Sequence, residues 1–341
     1  MSNERDIEIQ MAEQEFWSMI ESNFDLRLET MSTTASSSLC GPISLTAGFP
    51  SENKRLKGTD YYFTDSNKII HFTSMNILLS IVNEGALRMY NLHNSNDKNE
   101  YSYAASELKN IYQNRRIDES RIEKHFDKIK ENSFITSTTS VDELNNPSFW
   151  QKYGDGGKGV AIELEVINNM DKWKNFYLSK VQYNKLNAFK RLVKAWNLIQ
   201  KKYPINIYDI NLDFILSMHK SSDWENENEI RLLTFSFQRQ LKTYEELIHW
   251  DFKPNKIGVP IKYFKLPLCD DDGNFINRNL NDREEFFWSD IPKIRISDIY
   301  FGPDFPINDN LSEYQYNLKH YIHEKLKIWL RNLQKNKMQL K

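Results

Sequence analysis

The stretch from His219 to Phe235, HKSSDWENENEIRLLTF, sets Glu225, Glu227 and Glu229 at every second position and follows them with Arg231 and a run of strand formers. In an extended chain, side chains alternate between faces. Glu225, Glu227, Glu229 and Arg231 would then share one face, with Asn226, Asn228, Ile230 and Leu232 on the other. Carboxylates in a row repel one another, and burying any of them costs free energy unless a cation or hydrogen-bond donor answers it. A solvated acidic loop leading into a core strand meets that requirement without any chemistry. A chemical alternative is a hard-oxygen site in which the three carboxylates and Asp97 hold Mg²⁺ for a metal-dependent nuclease. His71 lies in an apolar strand, where a lone imidazole is most often a satisfied structural residue. The glycine cluster GDGGKG at Gly154 to Gly159 offers backbone amides to a phosphate. It lacks full phosphate-loop spacing and opens onto no convincing helix, so a turn before a strand is the expectation. The sequence has no Gly-x-Ser-x-Gly elbow, no His-Glu-x-x-His and no Cys–His pair at a useful spacing, which sets aside the common hydrolase and zinc-protease readings.

The elements that must position these groups follow from periodicity and punctuation. Ile69 to Thr73 reads as a short buried strand, and Ser74 as the N-cap of a helix with the apolar stripe Met75, Leu78, Leu79 and Val82, ended by Gly85. Leu87 to Leu92 is the next strand, followed by a polar loop at Asn94 to Glu100 and a charged helical segment over 104–131. Ser133 to Thr139 is β-branched and hydroxyl-rich, a strand. A short helix at Phe149 to Tyr153 and the glycine turn lead into a strand at Val160 to Val166. Residues 186–202 form a basic helix, Lys293 to Phe301 a strand, and Leu311 to Lys337 a long basic C-terminal helix. Short strands with irregularly interspersed helices predict an α+β fold rather than a doubly wound sheet.

Ahead of these, residues 5–31 carry apolar residues at helical spacing, and residues 32–60 are rich in Ser, Thr, Gly and Pro. The expected organisation is therefore an N-terminal helical extension and linker over 1–60 and one main domain over 61–341. Across 341 residues, a 40% hydrophobic share is enough for a buried core, and a net charge of -2 singles out no partner. Cys40 and Cys269 stand far apart with no metal-ligand spacing, which suits a reducing compartment. The N-terminus lacks the apolar core of a signal peptide, and no apolar run of roughly 18 residues occurs. A soluble, cytoplasmic protein with no membrane partner is the expectation.

Five segments carry a family resemblance in order: HFTS at His71, NDKNE at Asn96 to Glu100, FWQKYGDGGKGVAIEL at Phe149 to Leu164, KSSDWENENEIR at Lys220 to Arg231, and ISDIYFGP at Ile296 to Pro303. Together they resemble the bacterial family catalogued as domain of unknown function 2971, over about residues 69 to 325. That family is in turn similar to the ADP-ribosyltransferases, which split the nicotinamide–ribose bond of NAD and attach ADP-ribose to a protein or nucleic acid. The resemblance implies a split β-sheet core with surrounding helices, NAD as substrate and no metal.

It also implies roles. Breaking an N-glycosidic bond passes through an oxocarbenium-like cation, which a fixed carboxylate stabilises. Glu229 would hold the 2′-hydroxyl of the nicotinamide ribose, and Glu227 would orient or deprotonate the acceptor. His71 would donate to the adenosine-side ribose, with Thr73 fixing its tautomer or bonding the carboxamide. Ser137 belongs to the Thr136-Ser137-Thr138 strand that such sites place in the middle. Tyr153 would stack on nicotinamide, in competition with Phe134, Trp150 and Tyr183. Arg231 would pair with Glu227 or Glu229, or grip a pyrophosphate oxygen.

The neutral net charge hides two basic stretches. Lys190, Arg191, Lys194 and Lys201 share a helical face within 185–202, and seven basic residues from Lys319 onward stand against Glu324 within 318–341. With Trp196, Tyr321 and Trp329 nearby, they could hold RNA or DNA through phosphates and stacking. The resulting expectation is an ADP-ribosyltransferase-like protein acting on a macromolecule as a toxin or anti-phage effector, with an antitoxin or regulatory protein partner. A non-catalytic nucleotide or nucleic-acid binding module of the same fold is the alternative, and the metal-dependent nuclease a second.

Overall fold

Strands and helices do not alternate along this chain, and the architecture is α+β as that irregular order predicts. The computed structural model describes residues 2–25, 33–34, 43–47, 52–63, 66–94, 105–106, 109, 119–203, 205–210, 213–236, 247–252, 260–277, 291–306, 310–331 and 333–335. Its helices are α1 (Ser2–Phe24), α2 (Met75–Glu84), α3 (Glu119–Asn132), α4 (Pro147–Lys152), α5 (Leu186–Lys202), α6 (Asp213–Ser217) and α7 (Leu311–Leu326). The strands are β1 (Thr33–Thr34), β2 (Ile43–Ala47), β3 (Lys68–Thr73), β4 (Ala86–Asn91), β5 (Ser133–Thr138), β6 (Val160–Val166), β7 (Phe176–Lys180), β8 (Gln182–Tyr183) and β9 (Ile205–Ile210). They continue with β10 (His219–Lys220), β11 (Ile230–Phe235), β12 (Ile248–Phe252), β13 (Pro260–Pro267), β14 (Ile294–Phe301) and β15 (Leu333–Lys335).

The chain divides into two compact units. The first gathers Met1–Tyr62, Leu92–Ser133 and Val181–Asn226. Here α1 packs on α5 through aromatic edges, Phe16 on Trp196 at 5.7 Å and Phe24 on Phe189 at 5.0 Å. Glu15 at this contact accepts from Lys202 and the Tyr203 hydroxyl. His219, at the head of the acidic stretch, is fully buried among Phe24, Tyr61 and Phe189. Its Nδ1 meets the Ile215 carbonyl at 2.5 Å and its Nε2 the Tyr61 hydroxyl at 3.1 Å. Both ring nitrogens are satisfied, so His219 is a structural residue.

The second unit gathers Phe63–Asn91, Phe134–Lys180 and Glu227–Lys341. Its six-stranded sheet has the order β12-β13-β4-β5-β11-β7, and its four-stranded sheet the order β15-β14-β6-β3. One core serves both. Leu87, Met89, Phe134, Leu178, Leu232 and Phe264 from the first sheet meet Ile69, Ile162, Leu164, Ile296 and Ile299 from the second, joined by Leu78 of α2 and Ile322 of α7. Helix α2 is capped as its sequence requires: the Ser74 hydroxyl accepts from the Ile77 amide, and Gly85 closes the helix in the left-handed region at φ 60.

Two expected elements differ. Residues Ser222–Glu227 form a 3-10 turn, and the strand begins only at Ile230. Ser221 takes the Asp223 amide on its hydroxyl and the Trp224 amide on its carbonyl, and this local bonding competes with extension. The three glutamates therefore do not line one face of a strand. The long C-terminal helix also ends early, at Leu326, where Lys327 turns left-handed at φ 55. Beyond it, Ile328 and Leu330 are buried while Trp329 and Arg331 face solvent, a period of two, and β15 then pairs in parallel with β14. The helical segment expected over 104–131 is helical wherever it is described, at 105, 106, 109 and throughout α3; the rest of 104–118 lies outside the described residues.

Candidate functional site

Strand β3 is an edge strand, antiparallel to β6, with His71 opposite Ile162, Phe72 opposite Ala161 and Thr73 opposite Val160. Alternation sets His71 on the face of Ile69 and Thr73, and Ile70 with Phe72 on the reverse. The free edge of β3 is tied to the end of β5, where Ile70 and Thr139 exchange backbone hydrogen bonds of 2.8 and 2.9 Å. The Thr138 hydroxyl then donates to the Ile230 carbonyl (2.6 Å) and the Thr139 hydroxyl to the Asn228 carbonyl (3.3 Å). These bonds join an early strand, a middle strand and the acidic segment into one seam.

His71 is half-buried in this seam, with Nδ1 3.1 Å from the Ser137 carbonyl. A carbonyl only accepts, so Nδ1 carries the proton and Nε2 presents a lone pair. Burial lowers the His71 pKa, against a smaller upward pull from the Ser137 bond, which keeps the ring neutral at pH 7. Two expected roles change. The Ser137 backbone fixes the tautomer that was assigned to Thr73, and the neutral ring offers a ribose hydroxyl an acceptor rather than a donor. Thr73 is buried, and the Ser137 side chain is exposed.

The acidic segment splits into two environments. Glu229 is 3% exposed and Arg231 0%. The guanidinium holds the carboxylate through both oxygens, Nε to Oε1 and Nη2 to Oε2, each at 2.9 Å. Of the expected roles for Arg231, this is the pair with Glu229; a guanidinium so buried is not presented to a pyrophosphate. Glu227 is half-buried instead and accepts from the Tyr153 hydroxyl. Beside it Asn228, left-handed at φ 40, donates to Glu143 at 2.9 Å. Glu227 is thus the more accessible carboxylate of the two.

Tyr153 follows α4 and packs with Phe149 at 5.8 Å, against a cluster of Ile70, Phe72, Leu144, Trp150 and Ala161. That cluster covers the face of β3 opposite His71, so the structure does not bring the Tyr153 ring and the imidazole together on one face. Phe134 and Trp150 are fully buried and cannot stack on a ligand. Tyr183 is half-buried and belongs to the first unit.

The glycine turn is a packing device. Three of its amides are spent within the turn, Gly157 and Gly159 on the Gly154 carbonyl and Lys158 on that of Asp155. A Cβ on Gly159 would lie 2.3 Å from the Thr73 carbonyl oxygen, and one on Gly302 would lie 2.0 Å from that of Gly157. Only glycine lets these backbones approach so closely.

Sequence reasoning missed Glu163, which lies buried on β6. Its carboxylate accepts from Lys68, from the Ser297 hydroxyl at 2.7 Å and from the Tyr300 hydroxyl at 3.0 Å. The available signal was a lone acid inside the apolar run VAIELEV, which must find partners if buried. Burial by itself pushes its titration up. The bonds from Lys68, Ser297 and Tyr300, with the Lys68 charge, outweigh that and hold the carboxyl below the usual range. A depressed folded-state pKa contributes stability that is complete above the unfolded carboxyl range, near pH 4–5, and fades as pH falls through the lower folded value. The stability gap between wild type and Glu163→Gln, from urea unfolding, is expected to be constant between about pH 6 and 8 and to narrow below about pH 4.

Burial pushes the Cys269 thiol up to about 12, so this cysteine stays a protonated core residue. Among the described residues, no group of three or more His, Cys, Asp or Glu side chains is placed to hold a metal ion, and Asn96 to Glu100, with Asp97, lies outside them. None of the described helices is long and apolar enough to cross a membrane. On α5, Arg191 donates to Asn23 and Lys202 to Glu15, while Trp196 is buried and offers no platform for a base.

Residues 149–232 match a family model described as Protein of unknown function (DUF2971). No curated protein and no solved structure matches the chain. The matched stretch contains the glycine turn and the acidic segment, and so supports the resemblance drawn from those motifs. His71 and Ile296 to Pro303 lie outside it.

Proposed function

We propose that the second unit is an ADP-ribosyltransferase-like enzyme that takes ADP-ribose from NAD to a nucleophile on a macromolecule, nucleic acid or protein. The observation that carries this reading is the seam: a neutral imidazole from an early strand and an acidic segment far along the chain are tied to one another through the ends of β3, β5 and β11. In the reaction, the bond between ribose C1′ and the nicotinamide nitrogen breaks and nicotinamide leaves neutral. A bond from C1′ to the acceptor heteroatom forms, and the acceptor's proton passes to a carboxylate.

Glu227 is the carboxylate for that work, because it is half-buried and oriented by Tyr153. Glu229, held by Arg231, positions the start of β11. The His71 Nε2 accepts from a ribose hydroxyl. A role as a cytoplasmic toxin or anti-phage effector, restrained by a protein partner, goes with the same reading.

Incubation with labelled NAD and cell extract tests it. Label should enter macromolecules, and Glu227→Gln should lower the transfer roughly 10²–10⁴-fold, the usual contribution of a positioned general base. No label transfer and no nicotinamide release from the wild-type protein would sink the proposal. A second reading is favoured by the burial of Glu229 and the two hydrogen bonds it accepts from Arg231, which withdraw it from chemistry and suit a site that binds without turning over. In that case NAD raises the melting temperature while no nicotinamide appears.

A further inference from the structure

A separate cleft of about 230 Å³ opens in the second unit where β14 meets the segment between α7 and β15, lined by Asp271, Arg295, Ile296, Ser297, Trp329 and Arg331. Its charges are unequally used. Arg295 donates to Glu165 through Nε (3.1 Å) and Nη2 (2.9 Å) and lies 3.3 Å from an Asp271 oxygen. The other Asp271 oxygen accepts the Trp329 amide at 2.8 Å. Both carboxylates are thereby answered without Arg331. The Arg331 side chain is 59% exposed, and its nearest acid, Glu165, is 3.9 Å away, at the outer limit of an ion pair. Among the described residues lining the cleft, Arg331 is thus the more loosely paired cation and the one placed to meet a ligand anion.

The same place carries a strip of rings. Trp329 is 54% exposed and Tyr316 62%. His323 stacks on the indole at 3.7 Å and 19°, which steadies it, and His320 joins the indole (5.8 Å) to Tyr316 (4.3 Å). Large rings left in water beside an exposed, loosely paired arginine suit a ligand that alternates flat π-faces with phosphates.

We propose that this strip and cleft bind single-stranded nucleic acid, with bases stacked on Trp329 and Tyr316 and a backbone phosphate at Arg331. The site is distinct from the His71 seam, and its measurement needs no transferase activity, so failure of one reading leaves the other standing. The test is fluorescence anisotropy of the full chain with a labelled 15-nucleotide oligo-dT or oligo-U, and AMP as a competitor. Trp329→Ala should weaken binding roughly 5- to 150-fold, the range for one base–aromatic stack, with partial rescue in Trp329→Phe. Arg331→Ala should reduce the slope of log affinity against log salt by about 0.7, one phosphate contact on a single strand. Both side chains face solvent, so melting temperatures should stay at the wild-type value and a folding defect is read separately. The proposal is overturned if the wild type does not bind the oligonucleotide, or if binding survives both substitutions unchanged. AMP binding as tightly as the oligonucleotide would also overturn it, since the cleft would then serve a single nucleotide.

Discussion

Arg231→Met is expected to lower the unfolding free energy by about 3–5 kcal/mol, the usual cost of stranding one member of a buried ion pair. The two charges share their bonds almost wholly out of water, so neither can be solvated once its partner is gone. Glu229→Gln should cost less than Arg231→Met, because the amide still offers one acceptor to the guanidinium. The double variant Glu229→Leu with Arg231→Met should recover most of the loss, since a well-packed apolar pair commonly equals a buried ion pair. Urea unfolding of these proteins, with the single variant Glu229→Leu added to close the cycle, gives the coupling directly. A loss under about 1 kcal/mol in Arg231→Met would place the pair in contact with water, and Glu229 would again be available to a substrate. This result also bears on catalysis. Loss of activity in a Glu229 variant counts as chemistry only if the fold is intact, which is why Glu227 is the better probe.

Trp150→Ala is expected to cost about 3–5 kcal/mol, as for other large buried aromatic rings truncated to a methyl. The indole is fully buried, meets Phe72 edge-on at 4.9 Å, and donates to the Leu144 carbonyl at 2.8 Å. Truncation leaves a cavity over β3 and removes the indole's hydrogen bond to the Leu144 carbonyl together. Trp150→Phe keeps most of the volume but not the donor, and should lose about 1–2 kcal/mol. Trp150 also anchors α4, the helix that precedes Tyr153. Thermal unfolding checks the first effect, and the NAD label assay on the surviving folded fraction checks whether Glu227 has lost its orientation. If Trp150→Ala melts within a degree or two of wild type, this cluster is not a stable part of the unit.

Local signals carried much of the element map. Ser74 and Gly85 bracket α2, 186–202 emerges as one helix, and β3, β6 and β14 fall within a residue or so of their expected positions. Each of these rests on bonds and spacings a few residues long. The acidic segment misled because a doublet of short-range bonds at Ser221 outcompetes extension, although the pairing of Arg231 with Glu229 obeys the two-residue period. The C-terminal helix misled because its last part is claimed by β14, a strand far back in the chain.

Composition and spacing by themselves determined the fold class, the identity of most elements and the two sets of groups worth testing, the early imidazole and the late acids. Tertiary structure alone decided which partner each would keep. That the Ser137 carbonyl sets the His71 tautomer, that Arg231 withdraws Glu229 from solvent while Tyr153 holds Glu227 near it, and that Glu163 is buried among three donors depend on contacts between residues tens of positions apart or on how deeply a side chain is covered. Spacing along a chain specifies which side of an element a residue occupies; the desolvation and the donors that set its protonation come from whatever packs against that side.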